Sequence, residues 1–171
     1  MVKPNNWITS SHLHWTKIFT WNDDYAYRDP YVKLNMPARK IPENWFKYEI
    51  PHGFSTLVAS NKKSFRSKEA YSDRLKCINW FEKNQPEDLD LYGYGWDQYR
   101  LPDANRIFEK INKFSPLMRA IGPRYNVWKG ELKSKRDIAG RYKFQFAYEN
   151  AKDIPGYILE KIIDTFLLGS V

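Results

Sequence analysis

The chain has 171 residues, of which 42% are hydrophobic and 28% charged. That balance excludes a disordered polypeptide and leaves room for one full domain rather than two. The single cysteine, Cys77, excludes a disulfide within the chain and a cysteine-built zinc site, and it fits a reducing compartment. No apolar run approaches the ~20 residues that span a bilayer, and the opening Met-Val-Lys-Pro-Asn-Asn lacks the apolar stretch of a signal peptide. A net charge of +8 favours a polyanionic partner: nucleic acid, an anionic membrane face or a phosphorylated small molecule. The same charge also reads as ordinary solvated surface. Aromatic residues reach 17%, and such rings serve either as sugar platforms or simply as core.

In chain order, the first fifty residues are rich in Trp, Pro and Asn and read mostly as loop, with a strand predicted over residues 17–21. Residues 54–59 are a second predicted strand, bounded by Gly53 and the polar run Ser60-Asn61-Lys62-Lys63. Over residues 69–81 the period becomes helical, with Tyr71, Leu75, Ile78 and Phe81 recurring at steps of three and four and Ser67 placed to cap the start. The alternating run Asp88-Leu-Asp-Leu-Tyr92 predicts a strand entering a loop at Gly93 and Gly95. Residues 104–114 predict a helix with Ile107, Ile111 and Phe114 on one side, limited by Pro116, and residues 133–139 a short helix. Residues 142–148 predict a strand that begins amphipathic and becomes buried. Residues 158–168 predict a helix with Ile158, Leu159, Ile162, Ile163, Phe166 and Leu167 on one broad apolar face.

Strands alternating with helices predict an α/β fold with a parallel sheet, whose ligands collect at the carboxyl ends of the strands. The chain stops at Leu168-Gly-Ser-Val171, where a further strand is expected to begin.

The densest chemistry lies in Tyr142-Lys-Phe-Gln-Phe-Ala-Tyr-Glu-Asn150 and Gly156-Tyr157-Ile-Leu-Glu160-Lys161. A strand ending at Glu149-Asn150, a loop made permissive by Pro155 and Gly156, and a helix start form a seat for a nucleotide diphosphate, because free N–H groups and the helix dipole face the anion. Lys161 adds a point charge, and Glu160 is placed to accept hydrogen bonds from sugar hydroxyls. The plainer alternative is that Glu160 complements the dipole and Lys161 is solvated.

These two blocks resemble the "YKF-x-x-x-F-E-N" signature and the "G-Y-V-T-E-K" continuation of glycosyltransferase family 10, the α1,3/4-fucosyltransferases. Ile18-Phe-Thr-Trp-Asn-Asp-Asp24 also agrees with that family. Asp90-Leu-Tyr-Gly-Tyr-Gly-Trp96 is similar to its "D-L-Y-G-x-G-W", and Val58-Ala-Ser-Asn-Lys62 with the helix from Tyr71 is similar to its "x-x-S-N-K … Y-S-x-R". The marks run in the family's order over nearly the whole chain.

The resemblance implies a Rossmann-like parallel sheet, the donor-binding part of a two-domain GT-B glycosyltransferase, incomplete at both termini. Residues 1–50 would be a remnant of the acceptor-side domain with its connecting segment. Residues 51–171 would be the nucleotide-sugar-binding domain without its last strands and helices. The implied reaction is inverting transfer of L-fucose from GDP-fucose to a hydroxyl of N-acetylglucosamine or glucose in a glycan, including protein glycosylation, and weak in this chain alone. Asn150, Tyr157, Glu160 and Lys161 would contact the donor. Lys161 would neutralise the departing diphosphate, and Glu160 would hold fucose hydroxyls and steady an oxocarbenium-like transition state. Arg66 or Arg74 would reach the diphosphate, with Arg66 slightly preferred.

GDP-fucose is the implied donor and a glycan the acceptor, with no cofactor, no metal and no nucleic acid. Peripheral membrane contact is compatible with the family. The expected location is cytoplasmic at the inner membrane face, or the Golgi where an anchor precedes the chain. Tyr148 and Leu159 depart from the family pattern, as does the loop 151–155. The general-base carboxylate expected before the first residue has no substitute in the chain.

Asn22-Asp23-Asp24 suits a turn after a strand better than a metal site, and His12 and His14 read as surface residues. Two other readings remain: a basic, aromatic-rich module that stacks single-stranded nucleic acid, and a fold that binds GDP or GDP-fucose without transferring it.

Overall fold

The computed structural model describes residues 14–34, 50–102, 106–113, 115–158 and 160–170. These form a mixed α/β structure with two small parallel sheets. The larger sheet holds β3 (Gly53–Val58) in the middle, β4 (Leu89–Tyr92) on one side and β5 (Tyr142–Gln145) on the other, all parallel. Ser55 pairs with Leu89 and with Phe144, and Thr56 with Asp90 and with Gln145. A central strand is buried on both faces, and accordingly Ser55, Thr56 and Leu57 are all buried. The Thr56 hydroxyl donates to the Asp90 carbonyl at 2.9 Å, so its polar atom is satisfied inside the sheet.

With the earliest strand of this sheet central and later ones on either side, the strand order reverses at β3. That reversal opens a crevice at the carboxyl end of the sheet, where open α/β folds bind ligands. Such an arrangement is compatible with a Rossmann-like fold.

The helix α1 (Tyr71–Asn84) follows β3. Its Ile78 is fully buried in one cluster with Leu57, Leu89, Leu91, Trp96 and Val127, with Leu75 and Phe81 packed at the edge. The predicted apolar stripe therefore faces the sheet. Ser67 does not cap the helix. The N-cap position is Ala70, whose N–H donates to the Asn150 carbonyl at 3.2 Å, and Glu69 accepts from the Ser72 N–H at 2.9 Å. A bridge between Glu69 and Ala151 holds this start against the chain beyond β5. A tertiary contact thus sets the helix start three residues later than a local cap would.

Between β4 and β5 come α2 (Arg106–Lys113), α3 (Ser115–Ala120) and a 3-10 turn, Lys135–Ile138, capped by a Ser134–Asp137 box. Pro116, expected to stop a helix, lies in the first turn of α3, where a missing N–H costs nothing. Ile107 and Ile111 are exposed rather than packed, and Phe114 lies outside the described residues. The buried residue of α2 is Asn112, whose carboxamide accepts from the Leu101 N–H at 2.8 Å and donates to its carbonyl at 3.0 Å. This polar clamp anchors that helix.

The final helix, α4 (Glu160–Leu167), also departs from the broad apolar face that its period predicts. Leu167 is buried, but Ile158, Ile162 and Phe166 are exposed, and Asp164 and Thr165 take buried places instead. Asp164 is neutralised by a close ion pair with Lys135, and the Thr165 hydroxyl donates to the Lys161 carbonyl at 3.0 Å. Leu159 lies outside the described residues.

The smaller sheet pairs β1 (Ile18–Thr20) with β2 (Tyr31–Lys33), a strand not expected from the sequence. Among the described residues no helix is long and apolar enough to cross a membrane.

Candidate functional site

At the crevice where β3 and β5 end, a small pocket opens to solvent. It is lined by Val58 and Ala59 from the end of β3, by Gln145 and Tyr148 from β5 and beyond, and by Arg74 and Lys161 from the helices that follow. Lys135 adds a third cation, and among the described residues no carboxylate lines the space. Its enclosed part, about 10 Å³, has room for one water-sized group, so a phosphate or anything larger would sit mostly in the open crevice.

Arg74 reaches the cavity because α1 turns its charged residue inward one turn before Ile78. The side chain is only 3% exposed. Its guanidinium sits 4.9 Å from the Tyr71 ring centre, and Nη2 donates to the Ser60 carbonyl at a long 3.4 Å. Among the described residues Arg74 Nε has no hydrogen-bond partner, and neither has Gln145 Oε1. A buried guanidinium with spare donors is an incomplete anion site, since an unmade charged hydrogen bond in a dry place is costly.

Lys161, in the first turn of α4, donates to the Tyr148 carbonyl at 2.6 Å and to Asn150 Oδ1 at 2.9 Å. Burial first, and then the nearby Arg74 charge, pull its pKa down to about 8, against the opposing pull of Glu149 and Glu160. Two cations held together in a partly dry space repel one another, and a bound anion would relieve that repulsion.

Asn150 therefore ties three elements: its carbonyl holds the start of α1 and its side chain holds Lys161. Tyr157 joins the cluster through a side-chain hydrogen bond with Asn150. Burial, followed by the Glu149 charge, raises its phenol to about 12, so it remains a protonated donor. The Trp21 ring packs edge-on against Tyr157, with centroids 4.9 Å apart. Gly156, at φ +70°, brings the loop so close that an added Cβ would lie 2.5 Å from Asp23 Oδ2 and 2.6 Å from the Trp21 carbonyl.

The structure thus brings Arg74 and Lys161 into the lining, while Asn150 and Tyr157 stand behind Lys161 and outside it. Glu160 is the first residue of α4 and is exposed outside the lining, acting on Lys161 and Tyr157 by charge alone. Arg66 is exposed and does not line the cavity, so of the two candidate arginines it is Arg74 that reaches it.

Sequence reading missed Lys135 and Gln145. The only local signal for Gln145 is a polar residue at the carboxyl end of a strand. Lys135 carries none, because its place depends on the Asp164 pair across 29 residues.

The glycine-rich stretch after β4 has a supporting part. Asp90 accepts from the Tyr142 hydroxyl at 2.6 Å, and Trp96 Nε1 donates to the Ala59 carbonyl at 2.6 Å. Gly53 makes this possible: any Cβ there would lie 2.5 Å from the Tyr142 ring. Asn61 donates to the Gly95 carbonyl at 2.8 Å and to that of Gln98 at 3.3 Å, fastening the loops after β3 and β4 together.

Asn22 to Asp24 form a turn in which Asn22 Oδ1 accepts from the Asp24 N–H at 2.8 Å, while Asp23 pairs closely with Lys33. His14 is exposed, and His12 lies outside the described residues. No group of three or more His, Cys, Asp or Glu side chains that could hold a metal occurs among the described residues.

No protein-family model, curated protein or solved structure matches this chain.

Proposed function

We propose that the chain binds the diphosphate of GDP-fucose in the Arg74–Lys161 cavity and takes part in transfer of L-fucose to a sugar hydroxyl. In this reading it is the donor-binding part of a GT-B glycosyltransferase. The observation that carries the proposal is the meeting of Arg74 and Lys161 in the pocket beyond β3 and β5, with Asn150 holding Lys161 from behind. Arg74 and Lys161 come from segments 87 positions apart, and each lies within a block that resembles the family 10 fucosyltransferases.

In the transfer, a bond forms between the acceptor oxygen and the fucose anomeric carbon as the bond from that carbon to the diphosphate breaks. Arg74 and Lys161 take up negative charge on the departing GDP, which is the main electrostatic demand on this side of the reaction. Tyr157 steadies Asn150 behind Lys161, and Glu160, exposed outside the lining, would meet the fucose hydroxyls of a donor extending along the open side. The acceptor proton passes to a base outside this cavity, whose lining holds none.

Titration calorimetry with GDP at low salt tests the reading. Lys161→Ala is expected to weaken GDP about tenfold or more, since hydrogen bonds to a charged partner are worth ~1.5–3 kcal/mol. Arg74→Gln is expected to act in the same direction. Equal GDP affinity in parent and Lys161→Ala would remove the site. GDP binding without fucose transfer from GDP-fucose, in the presence of N-acetyllactosamine, would leave a sugar-nucleotide-binding protein rather than a transferase.

A further inference from the structure

The loops after β3 and β4 form a surface that the cavity does not use. Asn61 fastens them to each other through the Gly95 and Gln98 carbonyls, and the Asn61 N–H donates to the Tyr94 carbonyl at 2.9 Å. The first loop, residues 60–68, carries Lys62, Lys63, Arg66 and Lys68 and no carboxylate. The second, residues 93–100, adds Arg100 and one carboxylate, Asp97, which is already paired with Arg119 at 2.8 Å. In the first loop Phe65 stands 75% exposed, and in the second Tyr94 and Tyr99 are exposed.

A bare phenyl ring in water at the tip of a cationic loop is unfavourable in the isolated protein, and burying one is worth ~1.5–3 kcal/mol. We propose that this surface docks on an anionic lipid membrane, with Phe65 entering the acyl boundary and Lys62 and Arg66 meeting the headgroup phosphates. Exposed tyrosines on the loop fastened to it suit the interface, where an apolar ring and a polar hydroxyl are both satisfied.

A single-stranded nucleic acid is the competing partner for cations interleaved with rings. The geometry opposes it. The Lys63 ammonium lies 4.4 Å over the Tyr99 ring and the Arg100 guanidinium 5.7 Å over the Tyr94 ring. One face of each tyrosine is therefore taken, which removes stacking area a base would need but leaves the hydroxyl edges that a headgroup would meet. The surface lies at the carboxyl end of the sheet, as the cavity does, so docking would set the cavity's side of the molecule toward the lipid.

The test is co-sedimentation with phosphatidylcholine vesicles and with equimolar phosphatidylcholine–phosphatidylglycerol vesicles. Binding is expected only to the anionic vesicles, falling with added salt. The Lys62→Ala/Arg66→Ala double variant should lose about 30-fold in partitioning, each surface cation contributing roughly fivefold. Phe65→Ser should lose about tenfold or more, with Phe65→Trp retaining binding. These side chains are exposed, so the variants fold, and thermal melts confirm it. Lys161→Ala and added GDP should leave vesicle binding unchanged, which separates this surface from the cavity. No binding to anionic vesicles, binding indifferent to these substitutions, or tight binding to an oligonucleotide in place of vesicles would each overturn the proposal.

Discussion

Lys161 shows how one side chain can be both poorly placed for stability and well placed for binding. Burial and the Arg74 charge bring its pKa in the folded protein down to about 8, from the ordinary lysine value of 10.5. Below about pH 8 both folded and unfolded chains hold the proton, and the folded state carries the full cost of a crowded, half-buried charge. Between about 8 and 10.5 the unfolded chain holds more protons than the folded one, so stability on this account rises with pH across that window. Thermal melts of parent and Lys161→Gln through this range should show the parent gaining relative to the variant, and parallel curves would contradict the assignment. A bound diphosphate reverses the balance by restoring the proton. GDP binding at about pH 9 should therefore take up protons, read as a difference in apparent enthalpy between buffers of unlike ionisation heat. Neither the depressed pKa nor its cause was legible in the sequence, which identified Lys161 by a motif but could not show Arg74 beside it.

At the scale of elements, what the sequence revealed was period and what it hid was direction. In α1 the stripe containing Leu75, Ile78 and Phe81 is the buried one, because β3 and β4 present Leu57, Leu89 and Leu91 to it. In α4 the same kind of stripe splits. Leu167 turns inward, while Ile158, Ile162 and Phe166, spaced at i, i+4 and i+8, turn outward. Asp164 and Thr165 occupy buried positions only because Lys135 and the Lys161 carbonyl are there to meet them, and a hydrophobic period cannot reveal such partners. The two helices should accordingly respond differently to the same substitution. Ile78→Ala is expected to cost about 2–5 kcal/mol as a buried truncation, and Ile162→Ala less than about 0.5 kcal/mol as a surface one, measured by urea unfolding. A comparable loss at both positions would mean that the outer stripe is covered. The strand β2 escaped notice for a related reason: three half-buried residues ending in Lys33 carry neither alternation nor length.

Across the whole molecule, the larger parallel sheet and its crevice were legible because each strand is bounded by glycine or polar runs and separated from the next by helical period. The join between the smaller sheet and the crevice was not. It rests on Gly156, whose missing side chain lets the loop before α4 lie against Trp21 and Asp23, and on the Trp21–Tyr157 ring pair. Lys33 reinforces that join from β2, donating to the Trp21 carbonyl at 2.8 Å. Tyr157 in turn holds Asn150, and Asn150 holds both Lys161 and the start of α1. A chain of contacts thus runs from residues 18–33 to Lys161 and to the start of the helix that carries Arg74, although Trp21 does not line the cavity. Trp21→Ala removes an edge-on ring contact worth ~0.5–1.5 kcal/mol beyond its buried area, and frees Tyr157 to leave Asn150. GDP should then bind severalfold more weakly, while Trp21→Phe, which keeps a ring in place, recovers most of the affinity. Unfolding of both variants by urea separates this positioning effect from a general loss of structure: the affinity change should exceed any change in the fraction folded under assay conditions. If Trp21→Ala binds GDP as the parent does, the smaller sheet rests on the crevice without bracing it, and Tyr157 is held by Asn150 and its own burial alone.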